Sequence, residues 1–147
     1  MPRASAQSYD QLKRWCYDDA TDDQTIQGCD AVINAGREEP TDIGWAFSNR
    51  GKAYYDGGQT DRAIQDYDQA IKLYPKSAET YARRGSAYFS KGEFDRAIEG
   101  FTAAIELNPK EASYYYSRGI SKRAKGGDIS GNDDIATANK IEPGIGK

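Results

Sequence analysis

A pattern written twice at a spacing of 34 residues restricts this chain more than any other feature. Between Trp45 and Pro109, Gly51 returns as Gly85, Tyr54 as Tyr88, Gly58 as Gly92, Ala63 as Ala97, Tyr67 as Phe101, Ala70 as Ala104, Leu73 as Leu107 and Pro75 as Pro109. Eight matches at one offset, each of a residue type with a packing or turning role, exceed what composition alone produces. A unit of this length cannot bury its apolar face by itself, so the core has to run between stacked neighbours in a short solenoid.

Within each unit the apolar residues recur at spacings of three and four. Ala63, Ile64, Tyr67, Ala70 and Ile71 form one stripe, and Ile98, Phe101, Ala104 and Ile105 form its counterpart. Each stripe stops before a proline and follows a helical run that ends at Gly57-Gly58 or Gly92, so each unit is a helical hairpin. The helices are expected near 44–57, 60–73, 78–91 and 94–107. Asp61 and Asp95 sit in the first turns of the second helices, where exposed amides favour carboxylates, and that structural role explains them. A glycine inside a helix, as at 51 or 85, costs about 1 kcal/mol against alanine, and close contact with the neighbouring helix is the natural offset.

These residues resemble the tetratricopeptide repeat family. The family places large apolar residues at the fourth and seventh positions, a small residue at the eighth, aromatics at the eleventh and twenty-fourth, alanine at the twentieth and twenty-seventh, and proline at the thirty-second. Here they read Phe47, Arg50, Gly51, Tyr54, Ala63, Tyr67, Ala70 and Pro75, then Tyr81, Arg84, Gly85, Tyr88, Ala97, Phe101, Ala104 and Pro109. Only the seventh position departs, holding arginine for leucine; its aliphatic stem can cover apolar surface while the guanidinium reaches water. The resemblance implies an all-α fold, a right-handed superhelix of antiparallel helix hairpins.

An offset of 38 lays Tyr9 on Phe47, Cys16 on Tyr54, Cys29 on Tyr67 and Val32 on Ala70, so residues 7–39 read as a degenerate first repeat. Its helices are expected near 7–20 and 24–35, with a turn at Thr21-Asp22-Asp23 and Thr21 or Asp22 as the cap. Lys13 takes the small-residue position, which puts the tightness of this hairpin in question. Gly36 ends the second helix, and Pro40 with Thr41 and Asp42 reads as a turn and a cap. Regular repeats occupy 44–77 and 78–111, and a weaker one follows over 112–145, with Tyr115, Arg118, Gly119, Ile135, Ala138 and Pro143 in register. The glycines from Gly126 to Gly131 lack the following lysine and preceding strand of a phosphate loop; they read as an interhelical turn before a helix starting near Asp128 or Asn132.

Cys16 and Cys29 take the two places held elsewhere by Tyr54 with Tyr67 and Tyr88 with Phe101. The family brings those positions together across the hairpin, so the resemblance implies two sulfurs at a separation compatible with a disulfide. Such a bond would stabilise by roughly 3 kcal/mol. The other reading leaves two reduced cysteines as small buried hydrophobes, the common cytosolic use. The first reading, together with the stretch Pro2 to Gln7, which resembles the small-residue end of a secretory signal, points to the bacterial periplasm or the exterior; the second points to the cytoplasm. Two thiolates fall short of a structural zinc site, and their spacing is far from a redox-active Cys-x-x-Cys.

The chain has no histidine, which removes the commonest general base and metal ligand. A formal charge of -3 argues against nucleic acid and anionic membrane as partners, and no apolar run approaches a membrane span. Asp66 and Asp68 flank Tyr67 without a base, nucleophile or metal partner implied by spacing. No catalytic residue, cofactor or metal is therefore expected, and the chain reads as no enzyme.

The resemblance implies instead a protein-interaction module whose first helices line a groove for a peptide or helix of another protein. Carried over position by position, that groove takes Trp45, Ser48, Asn49, Lys52 and Tyr55 from the first regular repeat, Arg83 and Phe89 from the next, and Tyr116 and Arg123 from the last. Trp45, Tyr55, Phe89 and Tyr116 would anchor apolar side chains, while Lys52, Arg83 and Arg123 would hold a carboxylate. Trp45, at a helix start, is expected to be exposed; for Tyr55 and Phe89 the alternative is packing against an adjacent helix. Relatives that grip acidic chaperone tails carry lysines where Ser48 and Ser113 stand, so that specificity is not expected. The alternative to peptide binding is homotypic assembly through the exposed ends of the solenoid.

Overall fold

The computed structural model describes residues 6–126 and 129–147. It is all-α: among the described residues there are eight helices and no strand. They are α1 (Tyr9–Tyr17), α2 (Asp22–Ala35), α3 (Pro40–Asp56), α4 (Thr60–Leu73), α5 (Ala78–Ser90), α6 (Phe94–Leu107), α7 (Ala112–Gly126) and α8 (Asn132–Ile141). The chain divides into two compact units, Met1–Pro75 and Lys76–Lys147, of four helices each. Residues 2–5 of the expected signal end, and Gly127 and Asp128 of the glycine turn, lie outside the described residues.

In the first unit, α1 ends at Tyr17, three residues short of expectation, because Asp18 is already extended and two carboxylates at a helix carboxyl end oppose its dipole. Thr21 caps α2 through a full capping box with Gln24, and Gly36 closes the helix in the left-handed conformation at φ 61°. Helix α3 begins four residues before the expected start. Pro40 is its first helical residue rather than part of a turn, since proline's fixed φ suits that position and its missing N–H has no helical partner to lose there.

The glycines at 51 and 85 do what their cost required. A Cβ at Gly51 would lie 2.8 Å from the Tyr67 ring and 3.2 Å from the Ala63 carbonyl; one at Gly85 would lie 3.1 Å from the Ala97 carbonyl and 3.2 Å from the Phe101 ring. The missing side chain on the first helix thus admits the aromatic of the second, and Ala63, Tyr67, Ala97 and Phe101 are buried there. Tyr54 and Tyr88 are half-buried beneath Arg62 and Arg96, whose guanidinium carbons lie 5.5 and 5.3 Å from the ring centres. Pro75 and Pro109 follow the ends of α4 and α6 at exposed positions. In the first hairpin the close approach comes from α2 instead: a Cβ at Gly28 would lie 2.8 Å from the Cys16 nitrogen, while Lys13 turns outward to Glu38 at 2.7 Å.

At the seventh position Arg50 and Arg118 correct the expectation that the guanidinium reaches water. Arg50 forks onto Asp66 with two bonds of 2.8 Å and reaches Asp30 of α2 at 2.7 Å, so one side chain ties α2, α3 and α4 together. Asp66 is 5% exposed, which explains the cost of leaving it unpaired. In the second unit Arg118 repeats this, bonding Asp134 at 2.8 and 2.7 Å and Thr102 of α6 at 3.2 Å. Lys122, which aligns with Tyr54 and Tyr88, joins Asp134 at 2.8 Å. Burial alone would raise the Asp134 carboxyl, but Arg118 and Lys122 outweigh it and hold it below the ordinary range.

Two outcomes follow in equilibrium urea unfolding. Gly51→Val should lose about 1–3 kcal/mol by overpacking against Tyr67, whereas Gly126→Ala, where a Cβ meets nothing within 4 Å, should stay within about 0.5 kcal/mol of the parent. Asp66→Ala should lose about 3 kcal/mol by stranding the Arg50 charge, and the double variant Arg50→Leu/Asp66→Ala should lose less than that single change; a larger loss in the double variant would refute the account of the fork.

Candidate functional site

The first unit offers a surface made by α3 and the turn between α1 and α2. Its foundation is small: Cys16, Cys29, Val32 and Ala46 are buried together, with Tyr9, Tyr17 and Ile33 packed around them. Cys16 and Cys29 face each other across the hairpin at a Cα separation of 4.6 Å, within the range for a disulfide. The turn is fixed to α3 from both sides. Asn49 donates its amide to the Cys16 carbonyl at 3.0 Å, satisfying an acceptor at the end of α1, and the Tyr17 hydroxyl donates to the Asp42 carbonyl at 2.9 Å. Burial first, and the Asp42 charge second, push the Tyr17 hydroxyl well above its ordinary value, so it remains a donor.

Between the turn and α3 lies an open cavity of about 510 Å³ lined by Cys16, Tyr17, Asp18, Asp19, Ala20, Asp22, Thr25, Asn49, Lys52 and Ala53. The sequence reading places Asp18, Asp19 and Ala20 at the end of a helix and Thr21-Asp22-Asp23 in a turn with its cap. A signal was present, four carboxylates in six residues, but nothing local says that they border a cavity.

The side chains expected to form the groove have divergent surroundings. Ser48 is 0% exposed and cannot meet a ligand: its place on α3 is covered, so it leaves the set. Trp45 is half-buried rather than free, with its ring 6.2 Å from that of Tyr74. Asn49 spends its amide on Cys16, and Lys52 pairs with Asp56 one turn on at 2.5 Å. Tyr55 is half-buried. In the second unit, Arg83 pairs with Glu79 on its own helix, and Phe89 packs on Phe94 at 5.4 Å between ring centres, the alternative foreseen for it. Arg123 bonds Asn132 at 2.6 Å, and Tyr116 lies under the backbone of Gly146. All three expected cations are therefore engaged within the chain. Among the described residues no group of His, Cys, Asp or Glu is arranged to hold a metal ion, and no helix is long and apolar enough to cross a membrane.

The repeat reading is met independently by sequence and by fold. A family model described as TPR repeat matches residues 51–91, and the tetratricopeptide repeat model matches residues 78–111. No curated protein matches the chain in sequence. Among solved structures, MamA 41-end from Desulfovibrio magneticus RS-1 is similar at a TM-score of 0.79 and 18% identity, over 92% of this chain and 74% of that one. The second TPR domain of human RPAP3, solved in complex with the HSP70 peptide SGPTIEEVD, is similar at a TM-score of 0.64 and 26% identity, over 67% and 82%. YrrB, described as a TPR protein with an unusual peptide-binding site, is similar at a TM-score of 0.73 and 21% identity, over 84% and 62%. With two repeat models on its middle and the same helical architecture in these proteins, the chain carries tetratricopeptide repeats over residues 51–111 and shares the fold of proteins built from them.

Proposed function

We propose that this chain is a protein-interaction module that binds an extended or helical segment of another protein on the first-helix faces of its units, each taken by itself: α3 in the first unit, α5 and α7 in the second. Tetratricopeptide repeat proteins are interaction scaffolds and this one is no enzyme. On this reading it carries four repeats: a degenerate one over 7–39, regular ones over 44–77 and 78–111, and a weaker one over 112–145. The observation that carries the proposal is the set of half-buried aromatics, Trp45 and Tyr55 on α3 and Tyr116 on α7, that the core leaves partly open. Partly open rings on a rigid helix are the usual anchors of a protein partner. The peptide-bound RPAP3 domain and YrrB, similar in fold, support it.

Screening an immobilised peptide library against the parent protein should yield binders whose affinity drops at least tenfold in Trp45→Ala and in Tyr55→Ala, about 1.4 kcal/mol each, with Asp61→Asn unchanged. Binders indifferent to both aromatic changes would refute the placement of the groove.

The cysteine pair belongs to the same proposal: it is oxidised in the working protein, which functions in an oxidising compartment such as the periplasm or outside the cell. The support is the 4.6 Å approach of the two α-carbons in a hairpin whose core is otherwise small. Denatured protein purified without reductant should show no reactive thiol, and two after reduction. The Cys16→Ala/Cys29→Ala variant should lose about 2–4 kcal/mol of stability. Two free thiols before reduction would place the protein in a reducing compartment.

A further inference from the structure

Pro143 stands in the 34-residue register with Pro75 and Pro109, but the chain beyond it takes a different course. Three residues past Pro75 and Pro109, Ala78 and Ala112 are the first residues of α5 and α7. Gly146 has the same place and is not helical: its φ is +80°, and that of Gly144 is +89°. Side chains of L-residues resist that region, which glycine enters freely, so two glycines two residues apart turn the chain back after α8. Hydrogen bonds tie the turn. The Gly144 N–H donates to the Asn139 side-chain oxygen at 3.3 Å, the Ile145 N–H to the Glu142 carbonyl at 3.2 Å, and the Lys147 N–H to the Gly144 carbonyl at 3.1 Å.

This turn ends on Tyr116. A Cβ at residue 146 would fall against Cε2 of that ring, 2.5 Å from Cζ and 2.6 Å from the hydroxyl oxygen, so glycine is needed there for the approach as well as for φ. Core packing does not account for the contact. Pro143, Gly144, Gly146 and Lys147 are exposed and Ile145 is half-buried, so the segment gains little apolar burial where it lies. The ring it meets is on α7, one of the three aromatics that the interaction reading gives to a partner. A short exposed segment seated on a ligand-contact position is an occupant of that position, not a part of the core.

We infer that residues 143–147 are an intramolecular ligand of the second unit, covering Tyr116 until a partner peptide displaces them. The inference rests on the interaction-module reading above and adds the regulation of that surface. A tethered segment acts at an effective concentration on the order of millimolar, so a contact too weak to hold two molecules together keeps the ring covered within one. A partner binds the open form only, and its apparent affinity falls by the fraction of molecules that are open. The contact also describes the competitor, a peptide with glycine where its backbone crosses the ring.

The test uses the full chain and an acetylated peptide of residues 141–147 added to it, followed by tyrosine-ring and amide chemical shifts. Gly146→Val, which puts a side chain into the ring, should shift the Tyr116 signals and the amides of residues 113–120. Gly144→Val should shift the same signals by backbone strain alone, because a Cβ there meets nothing within 4 Å. Either variant should bind the added peptide tighter than the parent by about fivefold or more, with its urea midpoint unchanged. Tyr116→Ala in the Gly146→Val background should remove that gain, and the peptide with valine in place of its second glycine should not bind. Shifts confined to residues 142–147, equal peptide affinity in parent and variants, or a gain that survives Tyr116→Ala would overturn the inference. So would a concentration-dependent dimer of the parent that Gly146→Val dissolves, since the tail would then sit on a second copy. Library binders that contact Tyr116 and hold parent and variants equally would overturn the inference and leave the interaction module standing; an empty library screen beside the expected shifts would do the reverse.

Discussion

Everything in these units depends on how closely the two helices of a hairpin can approach. An α-helix pair sits 8–10 Å apart, depending on the side chains at the contact, and here the contact is set by glycine on one helix and an aromatic ring or backbone on the other. At Gly51 the Tyr67 ring fills the space of the absent side chain, and at Gly85 the Phe101 ring does. Each buried ring then provides the apolar area that a short hairpin cannot find among its alanines. In the first hairpin no aromatic pair exists; Gly28 supplies the closeness, and Cys16 with Cys29 supplies the contact.

A second interaction works on this tight spacing with an alternation of its own. The facing positions of the four hairpins hold Leu12 with Gly28, Arg50 with Asp66, Arg84 with Gly100 and Arg118 with Asp134. In each unit the first hairpin has glycine on its second helix and the second hairpin has a carboxylate forked by arginine. The arginine also reaches the preceding helix, at Asp30 in one unit and Thr102 in the other. Its planar donor fork grips a carboxylate with two bonds while a further N–H reaches a second element, a geometry that lysine's single ammonium does not offer. Each arginine stays near the aromatic three residues earlier: Arg50 lies 5.3 Å from the Phe47 ring centre and Arg118 lies 5.9 Å from that of Tyr115. The guanidinium is thus held by carboxylate and ring together.

The same economy of charge shapes the surface. Side chains that a repeat alignment assigns to ligand contact are partly consumed by the protein: Asn49 holds the end of α1, Phe89 packs on Phe94, and Ser48 is covered. On the first unit one open cavity is lined by Asp18, Asp19, Asp22 and Lys52, beside a turn kept in place by Asn49 and Tyr17. Four carboxylates in six residues occur at the turn of the first hairpin alone.

Most of the fold was legible in the residues. The 34-residue period, the stripes at three and four, Gly51 and Gly85, and the cap at Thr21 are local or periodic properties, and they named the hairpins, the buried aromatics and the helix ends to within a few residues. Pro40 was misread because a proline after a loop serves equally as a turn residue or as a first helical residue, and only the path of the chain distinguishes them. The candidate site was legible in outline alone: repeat position indicates which residues leave a helix on one side, but not what meets them. Arg50 and Asp66 stand 16 residues apart, and Asn49 and Cys16 stand 33 apart. Helical period says that each side chain lies on a particular face; whether a guanidinium finds water or a buried carboxylate is decided by which faces the hairpins bring together, and that is a property of packing in three dimensions.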